Sequence, residues 1–211
     1  MDSSNTLNNL RHQIKYNLPG KDAQLKMLPY VRELKPLGSH IETKESAVLI
    51  LLWIDHSCKI CIIKRNSKMR NHAGQYALPG GKFDPLEDTT LEETALRETF
   101  EEVGVSLSRK QMIGSLSRIY IPVSAFYITP YIAFIGHQHP SFNANPDEVE
   151  EVVEIPLETL FNSKGSMEVD IKGKKVTVPC YNYNETKIWG ATAMILSELE
   201  AIWHSINKTK G

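Results

Sequence analysis

Three glutamates separated by short, regular intervals carry the most chemistry in this chain. They lie in Arg97-Glu98-Thr99-Phe100-Glu101-Glu102, followed by Val103 and Gly104. On an α-helix, at ~100° per residue, Glu98, Glu101 and Glu102 fall within an arc of about 100°. Carboxylates at i, i+3 and i+4 repel one another, so the arrangement opposes the helix unless a cation sits among them. Oxygen-only ligands of high charge density suit a hard cation, Mg²⁺ or Mn²⁺.

The elements that must position these groups are readable around them. Thr90 with Glu93 three residues later is a capping-box signature for a helix start, and Gly104 is placed to end the helix in a left-handed cap. Leu91 and Ala95 share a stripe with Glu98 and Glu102, while Leu96, Phe100 and Val103 lie roughly opposite. This predicts a helix apolar on two flanks, packed between other elements, with its carboxylates lining a semi-enclosed site.

Gly80-Gly81, the Arg97 to Glu102 run and then Gly104-Val105 closely resemble the signature of the Nudix hydrolases. That family cleaves nucleoside diphosphates linked to another moiety, with a divalent metal held by these glutamates. The resemblance implies that Arg97, Glu98, Glu101 and Glu102 are catalytic, that Glu98, Glu101 and Glu102 bind metal, and that Arg97 orients a glutamate. The general base would be Glu98 or an acid between residues 147 and 151. One interval departs from the pattern: nine residues separate Glu87 from Arg97 where the family has seven. Counting back from Arg97 puts Thr89 at the family's glutamate, so the role of Glu87 or Asp88 stays open.

A second motif precedes the first. Arg65-Asn66, Arg70, Gly74 and Leu78-Pro79-Gly80-Gly81 resemble the extra signature of the coenzyme A pyrophosphatase branch, with Asn66 for the usual Ser and Leu78 for the usual Phe. Segments Asn145 to Val152 and Ile188 to Ala193 are similar to that branch as well. The resemblance implies substrate contacts from Arg65, Arg70, Gly80 and Gly81. Chemistry agrees, because Lys64, Arg65, Lys68 and Arg70 would complement the phosphates, arginine in bidentate fashion and lysine as a point charge. The glycines would let backbone turn tightly beside a ligand. The implied activity is hydrolysis of coenzyme A to 3′,5′-ADP and 4′-phosphopantetheine. The alternatives are a Nudix pyrophosphatase for ADP-ribose, dinucleotides or oxidised nucleotides, or a silent nucleotide-binding module.

Composition sets the bounds. The 211 residues are 41% apolar and 23% charged, which is ordinary globular usage, and the net charge of −1 offers no footprint for nucleic acid or a membrane surface. No apolar run approaches a membrane span, and the N-terminus lacks the apolar region of a secretory signal. Three cysteines suit a reducing compartment, and Cys58 and Cys61 read as structural. A cytoplasmic location is expected, with peroxisome and mitochondrion left open, and a homodimer is compatible with all of this.

Along the chain, residues 1–40 read as a helical extension. Leu7, Leu10 and Ile14 make one stretch, Leu25 to Val31 a second, and Pro36 to Gly38 an end. Residues 41–211 read as the hydrolase domain. Strands are expected over 47–54, 59–65, 112–121, 124–136 and 148–156, with a long loop at 66–79. A helical turn at 157–161, a hairpin over 168–181 about Gly173 and a helix over 188–206 complete the chain. Such alternation predicts an α/β/α sandwich with a mixed sheet, the Nudix-type fold.

Overall fold

Alternation along one strand divides the molecule into two cores. The structure, a computed structural model, describes residues 3–29, 42–69, 71–122, 124–171 and 173–208. Strand β1 (Lys44–Asp55) is the central run of apolar residues. Successive side chains of a strand point to opposite faces. Leu49, Leu51 and Trp53 therefore enter one core, with Cys61, Ile63, Ala95 and Val103. Ile50 and Leu52 enter the other, with Ile60, Ile62, Ile132 and the apolar side of helix α5 (Gly190–Lys208). Helix α3 (Leu91–Val103) covers the first face and α5 the second, giving the expected α/β/α sandwich.

The sheet is mixed. β2 (Ser57–Arg65) returns antiparallel to β1 after a turn at His56, whereas β7 (Phe126–Phe134) runs parallel on the other side. β8 (Val149–Pro156) pairs with β2 at the edge, as expected. Within the long loop, β3 (Tyr76–Ala77) continues beside β2. The box glycines form β4 (Gly80–Lys82) against β1, with Ala47 opposite Gly81 and Val48 opposite Gly80.

Two expected boundaries change. The single strand over 112–121 is two, β5 (Met112–Ser115) and β6 (Ile119–Ile121), each pairing with a different part of β7. Between them the Ser117 N–H leaves the ladder and donates to the Glu198 carboxylate (3.2 Å). The last helix starts at Gly190, not at 188. Thr186–Trp189 is instead β11, pairing with β10 (Lys174–Tyr183), which forms a hairpin with β9 (Lys164–Ile171) about Gly173. The helical turn at Leu157–Phe161 is α4.

The N-terminal extension shares a core with the rest. Leu10 and Ile14 of α1 (Ser3–Tyr16) and Met27, just after α2 (Gly20–Gln24), pack in the α5 core. Val31, Pro36 to Gly38 and the expected boundary at residue 40 lie outside the described residues. All three cysteines are free and buried, and burial pushes the Cys58 thiol up to about 12, which suits inert core packing. No helix among the described residues is long and apolar enough to cross a membrane.

Candidate active site

Both ends of α3 are fixed as the residue types require. The Thr90 hydroxyl accepts from the Glu93 N–H (3.2 Å), and the Glu93 carboxylate accepts from the Thr90 N–H (3.2 Å). Gly104 closes the helix at φ 72°, where a Cβ would sit 2.7 Å from the Asn143 carbonyl oxygen. That closeness has a purpose. The Asn143 N–H donates to the Val103 carbonyl (2.8 Å) and the Asn145 N–H to the Glu102 carbonyl (3.0 Å), so the 143–148 loop seals the end of the helix.

The helix is buried on one flank only. Thr94, Ala95, Thr99, Glu102 and Val103 are inside, whereas Phe100 is 56% exposed. Of the expected second apolar flank, Val103 packs in the core and Leu96 is half-buried, while Phe100 is left exposed. Periodicity marks which residues share a side, but the layer beyond that side decides whether they are covered.

The three glutamates have different surroundings. Glu102 is 1% exposed, accepting from the Gly80 N–H (2.9 Å) and from Arg65 Nη1 (3.2 Å). Burial pushes its carboxyl up to about 8, against the opposing pull of those two partners. Glu98 is half-buried and also pushed up by burial. Its carboxylate lies where a Cβ on Gly81 would be, which accounts for the second glycine. Gly80, at φ 150°, has the Ala47 carbonyl and Val48 backbone where its Cβ would fall. Glu101 points outward, 2.9 Å from Arg97 Nη1.

Arg97 is the junction of this face. Besides Glu101 it reaches Glu98 at 3.1 Å, and its Nε and Nη2 each donate to Asp88 at 2.9 Å. Asp88 also accepts from the Thr94 hydroxyl (2.8 Å) and the Asp84 N–H (3.0 Å). Chiefly through Arg97, its carboxyl is held down at about 2. Glu87 is mostly exposed and 3.5 Å from Arg97. Of the two candidates left open by the longer loop, the buried, two-pronged partner of Arg97 is Asp88. Counting along the sequence could not choose between them because inserted residues erase the register that counting relies on.

Among the described residues, no three His, Cys, Asp or Glu side chains already converge on a point that could hold a metal ion. Arg97 draws Glu98 and Glu101, and Arg65 draws Glu102. The donor set still fits a hard divalent cation. It is all oxygen, and two of its carboxylates, one helical turn apart, are short of compensation for their burial.

On the other side of β4 a cleft of about 640 Å³ opens over the sheet. Gly80, Gly81 and Arg65 form the end nearest the glutamates. Val48, Ile121, Phe126 and Ile128 belong to its apolar floor, and Trp189 at the end of β11 and Gly190 to Thr192 at the start of α5 line it. Sequence reading had singled out that last segment without a place for it. The 66–75 loop closes on itself through Arg65 N–H to the Gln75 carbonyl (3.0 Å) and Gly74 N–H to the Arg65 carbonyl (3.1 Å), with Gly74 at φ 66°. Asn66 ties this loop to the helix-sealing one, donating its side-chain amide to the Pro146 carbonyl (2.7 Å) and its N–H to the Glu148 carbonyl (2.8 Å). The negative charge of Glu148 in turn acts on both Glu98 and Glu102. Lys64 is engaged with Glu150 (2.6 Å), Lys68 is exposed, and Arg70 lies outside the described residues.

The comparisons with known proteins agree with this geometry. The NUDIX domain profile matches residues 43–172. Nudix hydrolase 3 of Caenorhabditis elegans is 31% identical over 195 residues, covering 87% of this chain and 80% of the relative. The uncharacterized Nudix hydrolase NudL of Pectobacterium atrosepticum is 33% identical over 178 residues, covering 83% and 88%. Among solved structures, a MutT/nudix family protein from Enterococcus faecalis superposes with a TM-score of 0.53 at 19% identity, covering 82% of this chain and 66% of that one. A MutT protein from Methanosarcina mazei Go1 gives 0.50 at 16%, covering 81% and 97%, a likeness of fold alone. With a profile match over more than half its length and full-length relatives above 30% identity, the chain belongs to the Nudix hydrolase family.

Proposed function

We propose that this Nudix pyrophosphohydrolase cleaves the diphosphate of coenzyme A or its derivatives, giving 3′,5′-ADP and 4′-phosphopantetheine or its acylated form. The observation that carries the reading is the loop from Arg65 to Gly81. Its sequence resembles the coenzyme A branch signature apart from Asn66 and Leu78, and its described residues lie against a cleft that meets the glutamates at Gly80 and Gly81. Among the described residues lining that cleft there is no Asp or Glu, while Lys44, Arg65 and Lys82 are present. Such a surface complements a phosphate-rich ligand even though the chain as a whole carries a net charge of −1.

Glu98, Glu101 and Glu102 would hold Mg²⁺ or Mn²⁺, which when bound neutralises diphosphate charge and makes a coordinated water more acidic. The chain's own residues do the positioning. Asp88 fixes the Arg97 guanidinium, and Arg97 orders Glu98 and Glu101. The Gly80 N–H and Arg65 hold Glu102. Glu98 or Glu148 would take a proton from the attacking water, a role for Glu148 that its charge acting on both Glu98 and Glu102 supports.

The test is hydrolysis of coenzyme A beside ADP-ribose and NADH with Mg²⁺ or Mn²⁺, the products resolved by chromatography. Release of 3′,5′-ADP, chiefly from coenzyme A, is the expected result. Turnover confined to the other substrates would discard the coenzyme A assignment and leave the family intact.

A further inference from the structure

Among the described residues, two of the three cations lining the cleft are uncommitted. Arg65 is engaged with Glu102, but neither Lys44 nor Lys82 has a carboxylate partner among the described residues. Lys44 rests its ammonium over the Phe126 ring at 5.6 Å. Asp84, two residues beyond Lys82, turns its Oδ1 to the Leu86 N–H (2.9 Å). Glu45 is taken by Arg118 (2.6 Å).

Register puts the two lysines together. Lys82 stands opposite Ser46, so Lys44 is its diagonal neighbour on the same face of the sheet. Diagonal Cβ atoms are roughly 7–8 Å apart, within reach of each other for long side chains, and like charges so placed repel. An anion held between them would reverse that cost. Both lysines stand on paired strands, which gives their stems a fixed origin.

Their position relative to the glutamates restricts which anion this can be. Lys82 directly follows Gly81, against which the Glu98 carboxylate lies, and consecutive Cα atoms are roughly 3.8 Å apart. Alternation turns the Lys82 side chain to the cleft face of β4, so a diphosphate that meets the glutamates at Gly80 and Gly81 and extends into the cleft would bring its sugar to the Lys82 side. Beyond the lysines, Phe126, Ile121 and Ile128 offer an apolar surface suited to a base. We propose that Lys44 and Lys82 form a subsite for the phosphomonoester on the 3′ carbon of that sugar, and so set a preference for a 3′-phosphorylated nucleotide. This rests on the coenzyme A reading and names the groups that would distinguish the coenzyme from nucleotides lacking that phosphate.

The experiment compares kcat/KM for coenzyme A and for 3′-dephospho-coenzyme A in the wild type, in Lys44→Gln/Lys82→Gln and in the charge-conserving Lys44→Arg/Lys82→Arg. The wild type is expected to favour coenzyme A. The glutamine variant should lose that ratio by about tenfold or more, mainly through KM, and the arginine variant should keep most of it. A ratio unchanged in the glutamine variant, or equal rates on the two coenzymes in the wild type, would overturn the subsite while leaving the coenzyme A reading standing. Hydrolysis of ADP-ribose but of neither coenzyme would instead sink that reading, and the subsite with it.

Discussion

Each face of the sheet buries a glutamate on its covering helix, and the two are treated in opposite ways. On α5, Glu198 is 0% exposed. It accepts from the Gly20 N–H (3.0 Å), the Gln24 side-chain amide (2.9 Å) and the Ser117 N–H (3.2 Å), binding the extension, the β5–β6 step and the last helix into one unit. On α3, Glu102 is nearly as buried yet has one backbone N–H and one arginine at 3.2 Å, and its carboxyl is pushed up to about 8. Burial of a carboxylate is therefore not in itself a mark of function. The donors facing it decide whether it is a fastening or a site with charge to spare.

Removing the charge at each position separates these roles most sharply. Glu102→Gln should lower kcat by about a thousandfold or more, with the fold retained. Its stability should respond to pH in a particular direction. Because the folded protein holds the Glu102 proton up to about pH 8 against an ordinary value of 4.5, the metal-free wild type loses stability as pH rises through that window. The variant lacks this loss, so urea titrations in chelator at pH 5 and pH 9 should show a smaller difference for Glu102→Gln. Full activity in the variant would remove Glu102 from the site.

Glu198→Gln inverts the pattern. An amide presents an N–H₂ group where the pocket supplies only donors, so roughly 2–4 kcal/mol of stability should be lost. Turnover per folded molecule at low temperature should be preserved. A large fall in kcat without a fall in melting temperature would show that the two faces are more alike than their donor sets suggest.

How much of this was legible in the sequence follows the range of the interactions. The box helix was readable to its ends, because Thr90, Glu93 and Gly104 act within a turn of the helix they cap. The central strand was readable from its continuous apolar run. Interactions that join distant segments were not. Glu198 reads like any polar residue of an amphipathic helix, and its partners are 178, 174 and 81 residues away. The last two residues of β11, Ile188 and Trp189, were read into the final helix because they are apolar and directly precede its apolar face. Phe100 was placed in a packed flank because spacing cannot report an absent neighbour. At the site, the sequence pointed to the glutamates and glycines, but Glu102 being held by Arg65 and Arg97 being held by Asp88 required the fold.

Asp88 offers the next test, smaller and confined to one face. Its pairing with Arg97 holds its carboxyl at about 2 against the usual 3.8. That stabilisation is fully present above pH 3.8 and is lost as pH falls through about 2, a total of about 2 kcal/mol. Asp88→Asn should lose most of it at neutral pH and show a flatter acid limb in urea unfolding. With Arg97 released, kcat should fall as well. Asp88→Glu should restore part of both, whereas Glu87→Gln should change neither by much. If Glu87→Gln is the damaging change, the longer loop has been resolved the other way.

The smallest effect expected tests the join between helix and loop. Gly104 sits at φ 72°, and its missing Cβ leaves room for Asn143 at 2.7 Å. Gly104→Ala adds the left-handed penalty, about 1 kcal/mol, and a backbone contact that must open. The loop that would move carries Glu148, whereas Glu102 is held from the β4 side by Gly80. A catalytic deficit larger than the stability deficit in Gly104→Ala, with divalent-metal affinity unchanged, would therefore mark the 143–148 loop as the source of the proton acceptor. A loss of stability alone would return that role to Glu98.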